Sequence, residues 1–215
     1  MVDSDAFLTP KNSYANSIKK QLIKSAKNDD KQVQLIKAMF PEYEKNDAVG
    51  IIMKHNGYNN KDSFQDAIFE ILLKEAPLNE EDLIKRIPFI FGREFISKDV
   101  VEQFNNKMLN CEKKNIIRRD GFLYIRDQII KLRIPGHRRR VEYIAIEELA
   151  SGIHTITQEY DRMKKDDLYV LLTQILDCHD TENAITRFDE ALALLKRQGT
   201  ILEDNGIVRL KTSSS

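Results

Sequence analysis

Cys178-His179 is the only adjacent pair of soft metal ligands in the chain, and a four-ligand zinc centre would need two more at CxxC or HxxxH spacing. No such spacing follows, so no metal site is assigned. The acidic runs Glu80-Glu81-Asp82 and Asp166-Asp167 carry carboxylates of the kind that hold divalent ions in nucleases. Each run stands just ahead of an apolar residue, Leu83 or Leu168, and this fits the first turn of a helix, where negative side chains oppose the helix dipole. There is no GxxxxGK[ST] phosphate loop, no GxGxxG after a strand, no GxSxG elbow and no HExxH helix. The sequence therefore assigns no catalytic residue and no cofactor, and it predicts a protein that is not an enzyme.

Cations are the residues that stand out. Lysines and arginines number 34 against 34 aspartates and glutamates, so bulk basicity is absent and any nucleic-acid contact must be local. Residues 111–140 carry a net charge of +7 while 141–215 carry −6. The candidate nucleic-acid-binding residues are Lys98, Lys107, Lys113, Lys114, Arg118, Arg119, Arg126, Arg138, Arg139 and Arg140, with Lys131 and Arg133 in the same basic stretch. Cations of this kind meet phosphates, and the neighbouring amides Gln103, Asn105 and Asn106 can meet phosphates or base edges. Two other readings stay open: the cations form a solvated face, or the arginine triplet meets an acidic partner or the acidic end of its own chain.

An internal repeat supplies the elements that would position these residues. With an offset of 85, Ala67–Leu83 lies over Gly152–Leu168 without a gap, and Ile68, Ile71, Leu78 and Leu83 face Ile153, Ile156, Met163 and Leu168. At an offset of 84, Val101, Phe104, Met108 and Cys111 face Ile185, Phe188, Leu192 and Leu195, spaced as the inner stripe of a helix. Ile117 then faces Ile201 and Asp120 faces Asp204. Ser97 and Thr181 precede these stripes as candidate helix caps. Each copy closes on an apolar segment, an Asp-Gly or Asp-Asn-Gly turn and a second apolar segment, which reads as a short β-hairpin.

The order helix, turn, helix, longer third helix, hairpin is that of a winged helix, in which the hairpin is the wing. DNA-binding versions place the third helix in the major groove and the wing on backbone or minor groove. The predicted fold is mainly α with small β-wings. An N-terminal helical segment (1–62) precedes a first winged-helix unit (63–130), a basic crossover linker (131–144) and a second winged-helix unit (145–211). The N-terminal stripes, Ile18, Leu22 and Ala26, then Val33 and Ile36, then Val49, Ile52 and Met53, are expected to dock on the first unit. Asp189, Glu190 and Arg187 on the second unit's third helix would repel phosphate, so that unit is expected to hold a protein.

A chain of 215 residues with 41% apolar and 32% charged residues has enough apolar material for a core and a well-solvated surface. Cys111 and Cys178 cannot make a disulfide framework, and neither a leader nor an 18-residue uncharged apolar run is seen, so a cytoplasmic protein without membrane contact is expected.

The run Glu81-Asp-Leu-Ile-Lys-Arg-Ile-Pro-Phe-Ile-Phe-Gly92, the wing Ile117-Arg-Arg-Asp-Gly-Phe-Leu-Tyr124 and Arg133-Ile-Pro-Gly-His-Arg-Arg-Arg-Val-Glu-Tyr-Ile144, leading to Glu147-Glu148-Leu149, resemble the C-terminal domain of large bacterial superfamily I DNA helicases. That domain is itself of uncharacterised function, and the likeness covers roughly residues 64–160. The ATPase and nuclease domains of those helicases have no counterpart in this sequence. The resemblance implies an accessory role in DNA processing, repair or phage defence, with DNA and a helicase or nuclease as partners. Tandem winged helices also serve SMC-type ATPase complexes as protein–protein scaffolds, and others are transcriptional regulators. Each of these roles admits a homodimer.

Overall fold

The computed structural model describes residues 14, 16–18, 30–45, 61–90, 98–111, 115–135, 139–178 and 181–211. In chain order the elements are α1 (Asp30–Lys37), β1 (Glu42–Tyr43), α2 (Lys61–Glu75), β2 (Leu78–Asn79), α3 (Glu80–Ile90), α4 (Lys98–Cys111), β3 (Ile116–Arg119), β4 (Phe122–Ile125) and β5 (Ile134–Pro135). After a single 3-10 turn at Val141–Tyr143 come α5 (Ile146–Tyr160), β6 (Arg162–Lys164), α6 (Lys165–Ile175), α7 (Thr181–Arg197), β7 (Ile201–Asp204) and β8 (Ile207–Leu210). The protein is mainly α, with two small antiparallel three-stranded sheets in the orders β2-β4-β3 and β6-β8-β7.

The chain divides into two compact units. The first holds Tyr43–Ile130 with Tyr143–Ala145; the second holds Met1–Glu42, Lys131–Glu142 and Ile146–Ser215. Ala67, Ile68, Ile71 and Leu72 of α2, Leu78, Leu83, Phe104, Met108, Ile116 and Leu123 close the first unit's core. The second buries the counterparts Ile153, Ile156, Leu168, Ile185, Phe188, Leu192, Leu195, Ile201 and Val208. Tyr169 meets Phe188 edge-on there, with ring centroids 5.4 Å apart. Removal of either buried phenylalanine, Phe104 or Phe188, would cost about 3–5 kcal/mol.

The 85-residue offset holds for whole elements. α2 maps onto α5 and α3 onto α6 end for end, and β3 and β4 map onto β7 and β8. This corrects the expected hairpin alignment by one residue: Ile116, not Ile117, is the counterpart of Ile201, and both are buried first residues of their strands. Asp120-Gly121 and Asn205-Gly206 form the two turns, with φ of 50° and 74° in one and 49° and 74° in the other. Positive φ at both central residues is the type I′ geometry, whose twist matches the flanking strands. The expected turn between the first two helices is instead a third strand, which pairs Leu78 with Leu123 and Met163 with Val208. At both sheet ends the ladder is extended by one bond. Glu80 donates its N–H to the Gly121 carbonyl at 2.8 Å, and Lys165 donates to the Gly206 carbonyl at 2.8 Å.

The acidic runs stand where the sequence placed them. Glu80, Glu81 and Asp82 occupy the first turn of α3, and Asn79 Oδ1 accepts the Asp82 N–H at 3.1 Å as a cap. Asp166 and Asp167 occupy the first turn of α6, which has no side-chain cap. Thr181 heads α7 and is buried, whereas Ser97 lies outside the described residues.

Up to Glu42 the N-terminal segment belongs to the second unit and not to the first, where it was expected; from Tyr43 on it belongs to the first. Tyr14 and Ile18 belong to the second unit; the Tyr14 hydroxyl donates to Asp166 Oδ1 at 2.6 Å, and Ile18 is fully buried. Val33 and Ile36 form the buried stripe of α1, which packs on α6, and Gln32 Nε2 donates to the Tyr160 hydroxyl at 2.7 Å. Leu22, Ala26, Val49, Ile52 and Met53 lie outside the described residues. The basic crossover also packs into the second unit, burying Leu132, Arg133 and Val141. Leu132 comes so near α5 that a Cβ added at Gly152 would lie 2.4 Å from its Cδ2, so any larger residue there would force Leu132 to shift. Among the described residues, no helix is long and apolar enough to cross a membrane.

Candidate nucleic-acid interface

In the first unit the candidate cations fall on α4, on the β3-β4 hairpin and on the turn that follows. Lys98 is the first residue of α4 and is exposed. Arg119 ends β3, opposite Phe122; its side chain is 52% exposed, with Nε 3.9 Å from Asp120 and the guanidinium 4.7 Å from the Tyr124 ring centroid. This position over an aromatic face holds the charge on the β3-β4 hairpin. Arg126 follows β4, is exposed, and is fixed at the backbone by its N–H to the Asn115 carbonyl at 2.8 Å.

Arg118 behaves differently. It points to the opposite side of β3, where Nε donates to Glu80 Oε2 at 2.6 Å, Nη2 donates to Glu80 Oε1, and Nη2 also reaches Asn105 Oδ1 at 2.9 Å. The β3-β4 hairpin, the start of α3 and the outer side of α4 are thereby tied together, and the charge of Arg118 is matched inside its own unit. A fork of this kind fixes geometry more than it leaves charge for a phosphate.

The arginine triplet is split. Arg139 is turned inward, with its side chain 5% exposed. Its Nη1 and Nη2 donate to Glu148 Oε2 and Oε1 at 2.9 and 2.7 Å. Arg133 donates to the same carboxylate from Nε at 3.1 Å and Nη2 at 2.9 Å. Glu148 is fully buried; burial pushes its pKa up, but Arg139 and then Arg133 more than reverse this and hold it below the usual carboxylate range. One carboxylate thus clasps the crossover onto α5, the arrangement in which the basic stretch meets the acidic end of its own chain. Arg140 stays 67% exposed, with Nη1 3.3 Å from Glu142 Oε1. Lys113, Lys114 and Arg138 lie outside the described residues, as do the side chains of Lys107 and Gln103.

At the matching place in the second unit the charges are reversed. Lys165 stands for Glu80, Asp189 for Asn105 and Glu203 for Arg118. Lys165 Nζ lies 2.7 Å from Asp189 Oδ1, which also accepts the Tyr169 hydroxyl at 2.8 Å, and Lys196 Nζ lies 2.8 Å from Glu203 Oε2. Burial first, then the hydrogen bonds to Asp189 and Asp166, push the Tyr169 and Tyr14 hydroxyls well above the usual tyrosine range. Arg187 pairs with Glu190 at 3.1 Å. On the surface expected to hold a protein, Asp189 already engages Lys165 and Tyr169, and Arg187 and Glu190 engage each other. Sequence reasoning missed Glu80, Glu148 and Lys165 as the groups that pair with these residues, and Tyr14 as the partner of Asp166.

Cys178 follows α6, and its N–H donates to the Thr173 carbonyl at 3.0 Å. His179 and the Cys111 side chain lie outside the described residues. Among the described residues no three His, Cys, Asp or Glu side chains are grouped to hold a metal ion. No family model, curated protein or solved structure matches this chain.

Proposed function

We propose that the chain is a tandem winged-helix protein acting as a non-enzymatic accessory subunit of a bacterial DNA-processing, repair or defence complex, with the first unit on DNA. The observation that carries this reading is the outward set of cations on that unit: Lys98 heads the third helix, Arg119 is held over Tyr124 on the wing, and Arg126 follows the wing. Third helix and wing are the two elements with which winged helices grip phosphate. Arg118 and Arg139 serve as struts, one fastening the wing to α3 and α4, the other fastening the crossover to α5. In the resembled helicases the corresponding domain accompanies an ATPase; here a helicase or nuclease in trans would supply that chemistry.

The test is a gel shift of duplex and single-stranded DNA with the wild type, with Lys98→Ala/Arg119→Ala/Arg126→Ala and with Glu142→Ala as a surface control. The reading expects binding lost in the triple variant and kept in the control. A second reading, a protein–protein scaffold of an SMC-type ATPase complex, is favoured by the internal matching of Arg118 and Arg139 by Glu80 and Glu148. It expects no DNA binding by any of these proteins and a stable complex with the ATPase on co-purification.

A further inference from the structure

Each unit ends its sheet on a wing strand. β3 is the outer strand of β2-β4-β3, and β7 is the outer strand of β6-β8-β7. The two edges are matched position by position. Each opens on a buried isoleucine, Ile116 or Ile201. Each then turns a large apolar side chain outward: Ile117 is 39% exposed and Leu202 is 37% exposed. Each closes on two charges, Arg118-Arg119 in β3 and Glu203-Asp204 in β7. Both strands keep a regular register with their inner neighbours. An outer strand offers unpaired backbone groups to another chain, and proteins commonly guard such edges with charge. Here the guard is selective: aligned parallel and in register, two copies of β3 would bring arginines together and two copies of β7 would bring carboxylates together, whereas β3 against β7 brings opposite charges together.

We propose that β3 of one molecule pairs with β7 of a second copy of this chain, parallel and in register. That alignment sets Ile116 beside Ile201, Ile117 beside Leu202 and Arg119 beside Asp204. The antiparallel alternative would set Arg119 beside Ile201 and Ile116 beside Asp204, leaving both charges against apolar side chains. Arg118 and Glu203 keep their own-unit partners Glu80 and Lys196; the charge pair across the contact joins Arg119, whose side chain is 52% exposed beside Asp120, to Asp204. Because the two surfaces differ, association is head-to-tail, and each molecule carries both halves of the contact.

The test is sedimentation equilibrium at low salt without DNA, over a wide range of protein concentration, on the wild type, Arg119→Glu, Asp204→Arg and an equimolar mixture of the two variants. The wild type is expected to sediment as multiples of 25.0 kDa. Each variant alone sets like charges against each other and is expected to remain monomeric. In the mixture every contact between unlike molecules again joins opposite charges, because each variant meets in its neighbour the sign that it lacks in its own kind. The mixture is therefore expected to associate. Ile117→Ser and Leu202→Ser leave the charges untouched and are expected to weaken association about fivefold each. A wild type that stays monomeric, variants that associate as the wild type does, or a mixture that stays monomeric would each overturn the proposal. Recovery in the mixture also shows that both variants are folded.

Discussion

Replacing Glu148 by alanine tests the clasp between the crossover and α5. The carboxylate is fully buried and accepts four hydrogen bonds of 2.7–3.1 Å from guanidiniums whose side chains are only 11% and 5% exposed. Its removal leaves two buried cations without the anion that joins them, and breaking a buried pair from one side costs about 3–5 kcal/mol. In a protein of this size that is a fall in melting temperature of roughly 10 °C. The assay is thermal and urea unfolding followed by circular dichroism, beside Glu142→Ala, whose exposed pair with Arg140 predicts a loss below about 1 kcal/mol. Arg133→Met/Glu148→Leu/Arg139→Met removes all three charges together and is expected within about 2 kcal/mol of the wild type, because no buried charge is stranded. The pH dependence has a fixed sign. Glu148 is held below the usual carboxylate range, so the folded state binds fewer protons than the unfolded one; the stabilisation is full above that range and is lost as pH falls through the lowered pKa. The alanine variant should therefore show a shallower acid limb. A Glu148→Ala protein that melts within a few degrees of the wild type, with the same acid limb, would refute the reasoning.

Gly152→Ala should destabilise by about 1–3 kcal/mol, despite the helix-propensity gain of about 1 kcal/mol, because the new methyl meets Leu132 Cδ2 at 2.4 Å and Leu132 Cβ at 3.1 Å; urea midpoints decide the sign. Gly121→Ala and Gly206→Ala meet no atom within 4 Å, so each should cost only the left-handed backbone term, about 1–2 kcal/mol, in the same assay. Tyr169 and Tyr14 have raised pKa values, so their stabilisation is full at neutral pH and is lost as pH rises past the ordinary tyrosine value of about 10. Tyr169→Phe should flatten that alkaline limb, as read from urea midpoints at neutral and alkaline pH.

The repeat was legible because apolar spacing survives where residue identity does not: Ile68, Ile71 and Leu83 mark the same core places as Ile153, Ile156 and Leu168. The hairpins were legible from Asp120-Gly121 and Asn205-Gly206, whose positive φ values few other residues tolerate. β2 was not, because two residues carry no periodicity and Leu78 reads equally well as the end of a turn. The one-residue slip in the hairpin had a similar origin, since Ile116 and Ile117 are both isoleucine and only strand pairing tells which one faces the core.

The candidate site was half legible. Residue type identified the cations but could not say which carried a partner. Glu148 offered a missed signal: it lies four and eight residues before Gly152 and Ile156, on the buried stripe of α5, where a carboxylate must find cations. The reversal from Glu80 and Arg118 to Lys165 and Glu203 is visible in the sequence once the hairpin offset is set at 85. Tyr14 gave no signal, because its contact with Asp166 joins residues 152 apart.

The central claim, that the outward cations of the first unit hold DNA, is tested most directly by the slope of log Kobs for duplex DNA against log salt concentration, in the wild type and in Lys98→Ala/Arg119→Ala/Arg126→Ala. The account predicts binding that weakens steeply with salt, and a slope reduced in the variant by roughly 0.9 for each phosphate contact removed. Absence of binding by the folded wild type, or a slope unchanged in the variant, would contradict it.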